Sequence, residues 1–172
     1  MYVLFGSFQI GRQQLMRKKH ESVTKMWERY LDSVGEEISS INKKYTSWHF
    51  DNNEKDANEL AELVLRGQKR ATASSLWVYE SDGESIPQEG ELSIVTDWNG
   101  NAKCVIQTKT VNIKPFKEVD ENFARTEGEG DGSLEYWRSV HRRYFEQECR
   151  DIGKTFTEDM PVICEKFEVI FQ

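Results

Sequence analysis

The chain has 172 residues, 37% of them hydrophobic, with five Trp and nine Phe, enough apolar material for one domain with a real core. A net charge of -7 excludes a large basic surface for nonspecific nucleic-acid binding, while leaving room for a small basic pocket. No apolar run approaches the roughly 18 residues of a membrane span, and MYVLF lacks the basic start of a secretory signal, so the expected compartment is the cytoplasm with no membrane partner.

Residues 1–20 read as an N-terminal extension, with Met16 a candidate biological start and Arg17, Lys18 and Lys19 a solvated terminus; residues 21–172 read as a single domain. Val23, Met26, Trp27, Tyr30, Leu31 and Val34 recur at helical spacing and stop at Gly35. A second amphipathic helix follows DNNE at 51–54, carries Ala57, Leu60, Ala61 and Val64, and ends at Gly67. The texture then changes. RATASSLWVYE, ELSIVTD and KCVIQTKTVNI read as strands, the last two joined at Asn99-Gly100, a strong hairpin signal. A third helix opens near Ser133 with Leu134, Trp137, His141, Tyr144 and Phe145 along one face. The final strand, VICEKFEVIF, alternates Ile163, Phe167, Val169 and Phe171 inward. Helices that do not alternate regularly with strands predict an α+β domain on a mostly antiparallel or barrel-like sheet, not a doubly wound fold.

Cys104, Cys149 and Cys164 are odd in number and widely spaced, which predicts reduced structural thiols instead of disulfides or a zinc knuckle. His20, His49 and His141 show no metal-ligand pairing. His141 reads as a satisfied core histidine, or as one hydrogen-bonded to an acid. GEGDG lacks the spacing of a dinucleotide fingerprint. With Glu127 as position one, Glu129, Asp131 and Gly132 imitate a calcium loop, but position twelve is Arg138 where the closing Glu is required. Neither a metal nor a cofactor is expected.

In GQKRATASS, a lysine desolvated beside the sheet would have a lowered pKa and could take a proton from a nucleophilic Thr hydroxyl. Strand alternation opposes the pairing, because it puts Arg70, Thr72 and Ser74 on one face and Lys69 on the other unless the segment is bent. A solvated Lys69 and a Thr72 suited to a strand account for the same letters. Clustered Glu127, Glu129 and Asp131 repel one another, so one of them is a candidate for proton transfer, whereas Asp131 or Ser133 serves as a helix cap.

These stretches resemble the ASCH domain family, whose fold is a PUA-like β-barrel. GQKRATAS matches its G-x-K-x-x-T signature, and IPQEGELSIV, VIQTKTVNIKPF and FARTEGEGDGSLEYWRSVH follow in order, from about Trp27 to about Val169. The resemblance implies an RNA- or nucleoside-related role and a cleft lined by the signature residues. Some members resemble amidohydrolases of N4-acetylcytidine; others are proposed RNA binders or ribonucleases. Carried over by motif, Lys69 is the base, Thr72 the nucleophile and Glu127 the partner of the leaving amine. Some members carry Arg two residues after the Thr, where this chain has Ser74, so an anchoring contact is lost or falls to Arg70 or Arg138. The candidate substrate contacts are Arg70, Ser74, Trp77, Glu129, Asp131 and Arg138, and the expected partner is a modified nucleoside. The alternative is a non-catalytic module holding single-stranded RNA through Trp77, Tyr79 or Trp98 with Lys69, Arg70 and Lys103 on phosphate, or a ribonuclease, which would want a pair of histidines. A third possibility is a protein-interaction surface on the Trp137, Tyr144 and Phe145 stripe.

Overall fold

The computed structural model describes residues 20–36 and 44–172, so most of the expected N-terminal extension, with Met16 and Arg17–Lys19, lies outside the described residues. Helix α1 spans Glu21–Ser33, where the His20 side chain caps the free Ser22 amide and Val23, Met26, Trp27, Tyr30 and Leu31 form the buried stripe. Strand β1 is Tyr45–Trp48. Helix α2, Glu54–Leu65, is capped by Asn53 and buries Ala57, Ala61 and Val64. Strand β2 is short, Ala71–Ser75.

The strand expected through LWVYE is instead helix α3, Leu76–Asp82, closed by Gly83 in the left-handed region. Its aromatic letters have high strand propensity, but tertiary packing overrides that: Trp77 lies on the apolar core and Tyr79 borders a cleft. Strands β3, Leu92–Thr96, and β4, Ala102–Pro115, form the predicted hairpin, with the Gly100 amide donating to the Asp97 carbonyl at 3.0 Å. Helix α4, Glu121–Glu127, follows a short 3₁₀ turn at Phe116–Glu118; helix α5, Leu134–Asp151, starts at the Ser133 cap; strand β5, Pro161–Phe171, ends the fold.

The sheet order is β1-β3-β4-β5-β2, parallel between β1 and β3 and antiparallel elsewhere. The α+β class and mostly antiparallel sheet are as read from the sequence; the closed barrel is not. No ladder joins β1 to β2 among the described residues. Residues of both edge strands, Tyr45–Trp48 and Thr72–Ser74, line one cleft, so the curled sheet stops short of closure across it.

Alternation divides the sheet. Leu92, Ile94 and Val105 meet α1, whereas Val95, Cys104, Ile106 and Phe167, of opposite parity on their strands, meet Ala61 and Val64 of α2. Farther along this second face apolar residues give way to Ser93, Thr108 and Glu165, which form the cleft floor. Helices α4 and α5 close the third core around Phe116, Phe123, Trp137, Phe145, Met160 and Val162. Cys104, Cys149 and Cys164 are free and buried, in keeping with structural thiols. Among the described residues, no helix is long and apolar enough to cross a membrane.

Phe116 anchors the helix pair, with its ring centroid 5.3 Å from Trp137, 6.1 Å from Phe145 and 5.1 Å from Phe156. Phe116→Ala should cost about 3–5 kcal/mol in urea unfolding by leaving a cavity there; a loss under about 1 kcal/mol would contradict this packing.

Candidate functional site

Two segments far apart in sequence are laced together. Gly67, at φ 71, ends α2, and the amides of Gln68 and Lys69 both return to the Leu63 carbonyl. At the end of α4, Gly128 sits at φ 68, where a β-carbon would collide with the Gln68 carbonyl oxygen. Gln68 Nε2 donates to the Gly128 carbonyl at 2.8 Å, and the Arg70 amide to the Thr126 carbonyl at 3.0 Å. Lys69 is thereby set beside Glu127 and Glu129 before β2 begins. The strand-alternation objection does not apply, because Lys69 still belongs to the turn.

Lys69 is 1% exposed. Its Nζ lies 3.3 Å from Glu127 Oε1, donates to Glu129 Oε1, and stands 5.1 Å from the Phe50 ring centroid. Burial opposes the charge on Lys69, but the Glu127 and Glu129 charges and hydrogen bonds outweigh it and raise the pKa above the ordinary value. Lys69 is thus an ammonium, contrary to the lowered pKa expected of a desolvated lysine.

Glu127, also 1% exposed, is held from every side. Oε1 accepts from the Ala73 amide at 3.1 Å, an outward N–H of edge strand β2, and Oε2 accepts from Trp137 Nε1. His141 Nε2 lies 3.5 Å from Oε1, while His141 Nδ1 donates to the Trp137 carbonyl at 3.0 Å. Burial would raise the Glu127 pKa; the charges of Lys69 and His141 and the hydrogen bonds from His141 and Trp137 prevail and hold it at about 2. Burial likewise opposes charge on His141, yet Glu127 raises its pKa above the ordinary value. Of the two readings of His141, the hydrogen-bonded one holds.

This cluster borders a cleft of about 630 Å³, which also receives Thr72 and Ser74. Tyr45, Trp48, Phe50, Tyr79 and Tyr144 supply aromatic walls, and the carboxylates facing it are Asp51, Glu84, Glu91, Glu127, Glu129 and Glu165. Tyr79 is pushed up to about 12 by burial and the nearby Glu165 and Glu84 charges, so its phenol stays protonated.

Of the residues selected from sequence, Lys69, Thr72, Ser74, Glu127 and Glu129 share this cleft. Arg70, Trp77, Asp131 and Arg138 are not among its lining residues. Arg70 is exposed and donates to the Gly67 carbonyl; Trp77 packs on the core beneath Lys154; Asp131 accepts from the Ser133 amide; Arg138 donates to the Lys117 carbonyl. Glu165 and Thr108 were overlooked. Glu165 occupies the position skipped in the inward alternation Ile163, Phe167, Val169, and that polar interruption of an apolar face was the available signal.

The ASCH domain profile matches residues 46–171. An ASCH domain crystal structure from Lactobacillus crispatus is 38% identical, with a TM-score of 0.84 over 91% of this chain and 99% of that one. A crystal structure of a protein from Enterococcus faecalis, placed in family DUF984, is 32% identical, with a TM-score of 0.76 over 88% of this chain and 89% of that one. No curated protein matches the chain. The chain belongs to the ASCH domain family, with a PUA-like fold.

Lowering Glu127 from 4.5 to about 2 means that its contribution to stability is fully present above pH 4.5 and is lost as pH falls through about 2. Urea unfolding should therefore show stability declining across that window, with a shallower decline in Glu127→Gln; identical slopes would contradict the assignment. At neutral pH Lys69→Met should cost about 3–5 kcal/mol by stranding buried carboxylates, and Lys69→Met/Glu127→Gln should recover part of the loss. Additive losses would show that the pair is not coupled.

Proposed function

We propose that the cleft binds an N-acylated pyrimidine nucleoside, such as N4-acetylcytidine, and hydrolyses its amide. The observation that carries this reading is a buried ammonium, fixed by two carboxylates, at the border of an aromatic cleft that a threonine hydroxyl also lines. Thr72 attacks the acyl carbon. Lys69, as an ammonium, acts differently from the base suggested by motif: two of its N–H bonds go to Glu127 and Glu129, and its positive charge at the cleft border would stabilise negative charge on the acyl oxygen. Glu127 is a positioning residue, since its oxygens hold Lys69, His141, Trp137 and the β2 edge.

Charge favours a nucleoside over an RNA strand. Among the described residues six carboxylates face the cleft, and the one lysine lining it is already paired, so a phosphodiester there would meet repulsion in a partly desolvated setting. Lys103, another expected phosphate contact, stands 3.7 Å from both Glu62 and Asp97. The cleft does hold two histidines, His49 and His141, which a ribonuclease would need, but His141 faces Glu127 and so is committed to the buried cluster. Of the Trp137, Tyr144 and Phe145 stripe expected as a partner surface, Trp137 and Phe145 are buried in the core and Tyr144, half-buried, lines the cleft.

Incubation with N4-acetylcytidine should release cytidine, followed by chromatography. Thr72→Ala should abolish turnover, and Lys69→Met should reduce kcat by about 10²–10³-fold, the effect of losing an oxyanion donor. Absence of turnover across a panel of N-acylated pyrimidine nucleosides would defeat the reading; cleavage of an RNA oligonucleotide would replace it with the ribonuclease.

A further inference from the structure

With Lys69 an ammonium and Glu127 committed to four partners, the hydroxyl of Thr72 still requires a proton acceptor. Adjacent antiparallel strands supply one. Thr72 on β2 and Glu165 on β5 are register partners, and residues directly opposite one another in such a ladder project from the same face, with β-carbons roughly 4.5–5.5 Å apart. Both side chains line the cleft. Glu165 is 8% exposed, and its Oε1 accepts from Thr108 Oγ1 at 2.6 Å, which fixes the carboxyl against the floor.

Resting on the amide-hydrolysis reading, we propose that Glu165 is a further catalytic residue, the carboxylate that accepts and returns the proton of the Thr72 hydroxyl. The Oγ1–H bond breaks with its proton passing to Glu165, while Oγ1 bonds to the acyl carbon and the carbonyl electrons move onto oxygen near Lys69. Collapse breaks the C–N bond, and the departing nitrogen takes the proton from Glu165. Water then adds to the Thr72 ester, giving a proton to Glu165; the ester C–O bond breaks, Thr72 recovers that proton, and the carboxylic acid is released. No oxidant, reductant or metal enters the balance.

The environment suits this role. Burial pushes the Glu165 pKa up, the Thr108 hydrogen bond pulls it down, Glu91 pushes it up again, and the net shift is upward, toward the working range of a general base. Glu127, at about 2, is too weak a base for it. The other titratable groups facing the cleft are Tyr45 on β1, His49 and Asp51 just after it, Lys69 before β2, Tyr79 and Glu84 at α3 and just beyond, Glu91 before β3, Glu127 and Glu129 at the end of α4, and His141 and Tyr144 on α5.

The test compares kcat and KM against pH for wild type, Glu165→Gln and Thr108→Val on N4-acetylcytidine, with folding checked by urea unfolding. Glutamine preserves the size and the acceptor for Thr108, so Glu165→Gln should lower kcat by about 10²–10⁴-fold with KM little changed. Thr108→Val removes the hydrogen bond that lowers the Glu165 pKa, so the acid limb of kcat should move to higher pH. A Glu165→Gln enzyme within about twofold of wild type in kcat, or an acid limb unmoved in Thr108→Val, overturns the assignment while the amide-hydrolysis reading stands. Wild-type protein that turns over no member of the panel of N-acylated pyrimidine nucleosides overturns both.

Discussion

A lysine ammonium removed from water costs several kcal/mol unless charge and hydrogen bonds replace its hydration. Lys69 stays charged only because Glu127 and Glu129 stand against it, and Glu127 is itself held by Trp137, His141 and the open edge of β2. The organisation of the cleft follows from that balance. The turn after α2, the end of α4, one edge of the sheet and the face of α5 converge on a single buried charge pair. The Glu127 charge favours the protonated form of His141, and when His141 is protonated two cations oppose two carboxylates and the cluster is close to neutrality.

The second constraint is the sheet that almost closes. Its two edge strands approach without pairing, and the space between them becomes the cleft. One sheet face is therefore used twice. Near α2, Val95, Cys104, Ile106 and Phe167 make a dry core, and farther along Ser93, Thr108, Glu165, Thr72 and Ser74 make a polar floor. Rigid strands thus position the groups proposed to react, while the surrounding aromatics provide the flat apolar surface on which the proposed nucleobase would stack.

Helices α1, α2 and α5 and the β3–β4 hairpin were readable because their signals are local: a periodic stripe in α1, capping residues ahead of α2 and α5, and Asn99-Gly100 at the turn. The convergence of Lys69, Thr72 and Glu127 on one cleft was reached from motif order, and periodicity argued against half of it; the missing information was that β2 begins at Ala71, two residues beyond Lys69. The protonation state of Lys69 was beyond the letters, since its sign depends on two carboxylates nearly sixty residues away in the chain. Helix α3 was misread because its aromatic residues serve the core and the cleft from a helix as well as they would from a strand. Arg70 and Arg138 stood in for the family Arg that Ser74 replaces, and each donates a hydrogen bond to a backbone carbonyl away from the cleft lining.

The account turns on the charge of one side chain. Heteronuclear NMR of the lysine ζ-nitrogens, with Lys69 assigned by its loss in Lys69→Met, follows that charge directly across pH. The account predicts that Lys69 remains an ammonium past 10.5, the ordinary lysine value. A Lys69 resonance that titrates near neutrality would contradict it, restoring a neutral amine as the base and dissolving the electrostatic lock on which the cleft is built.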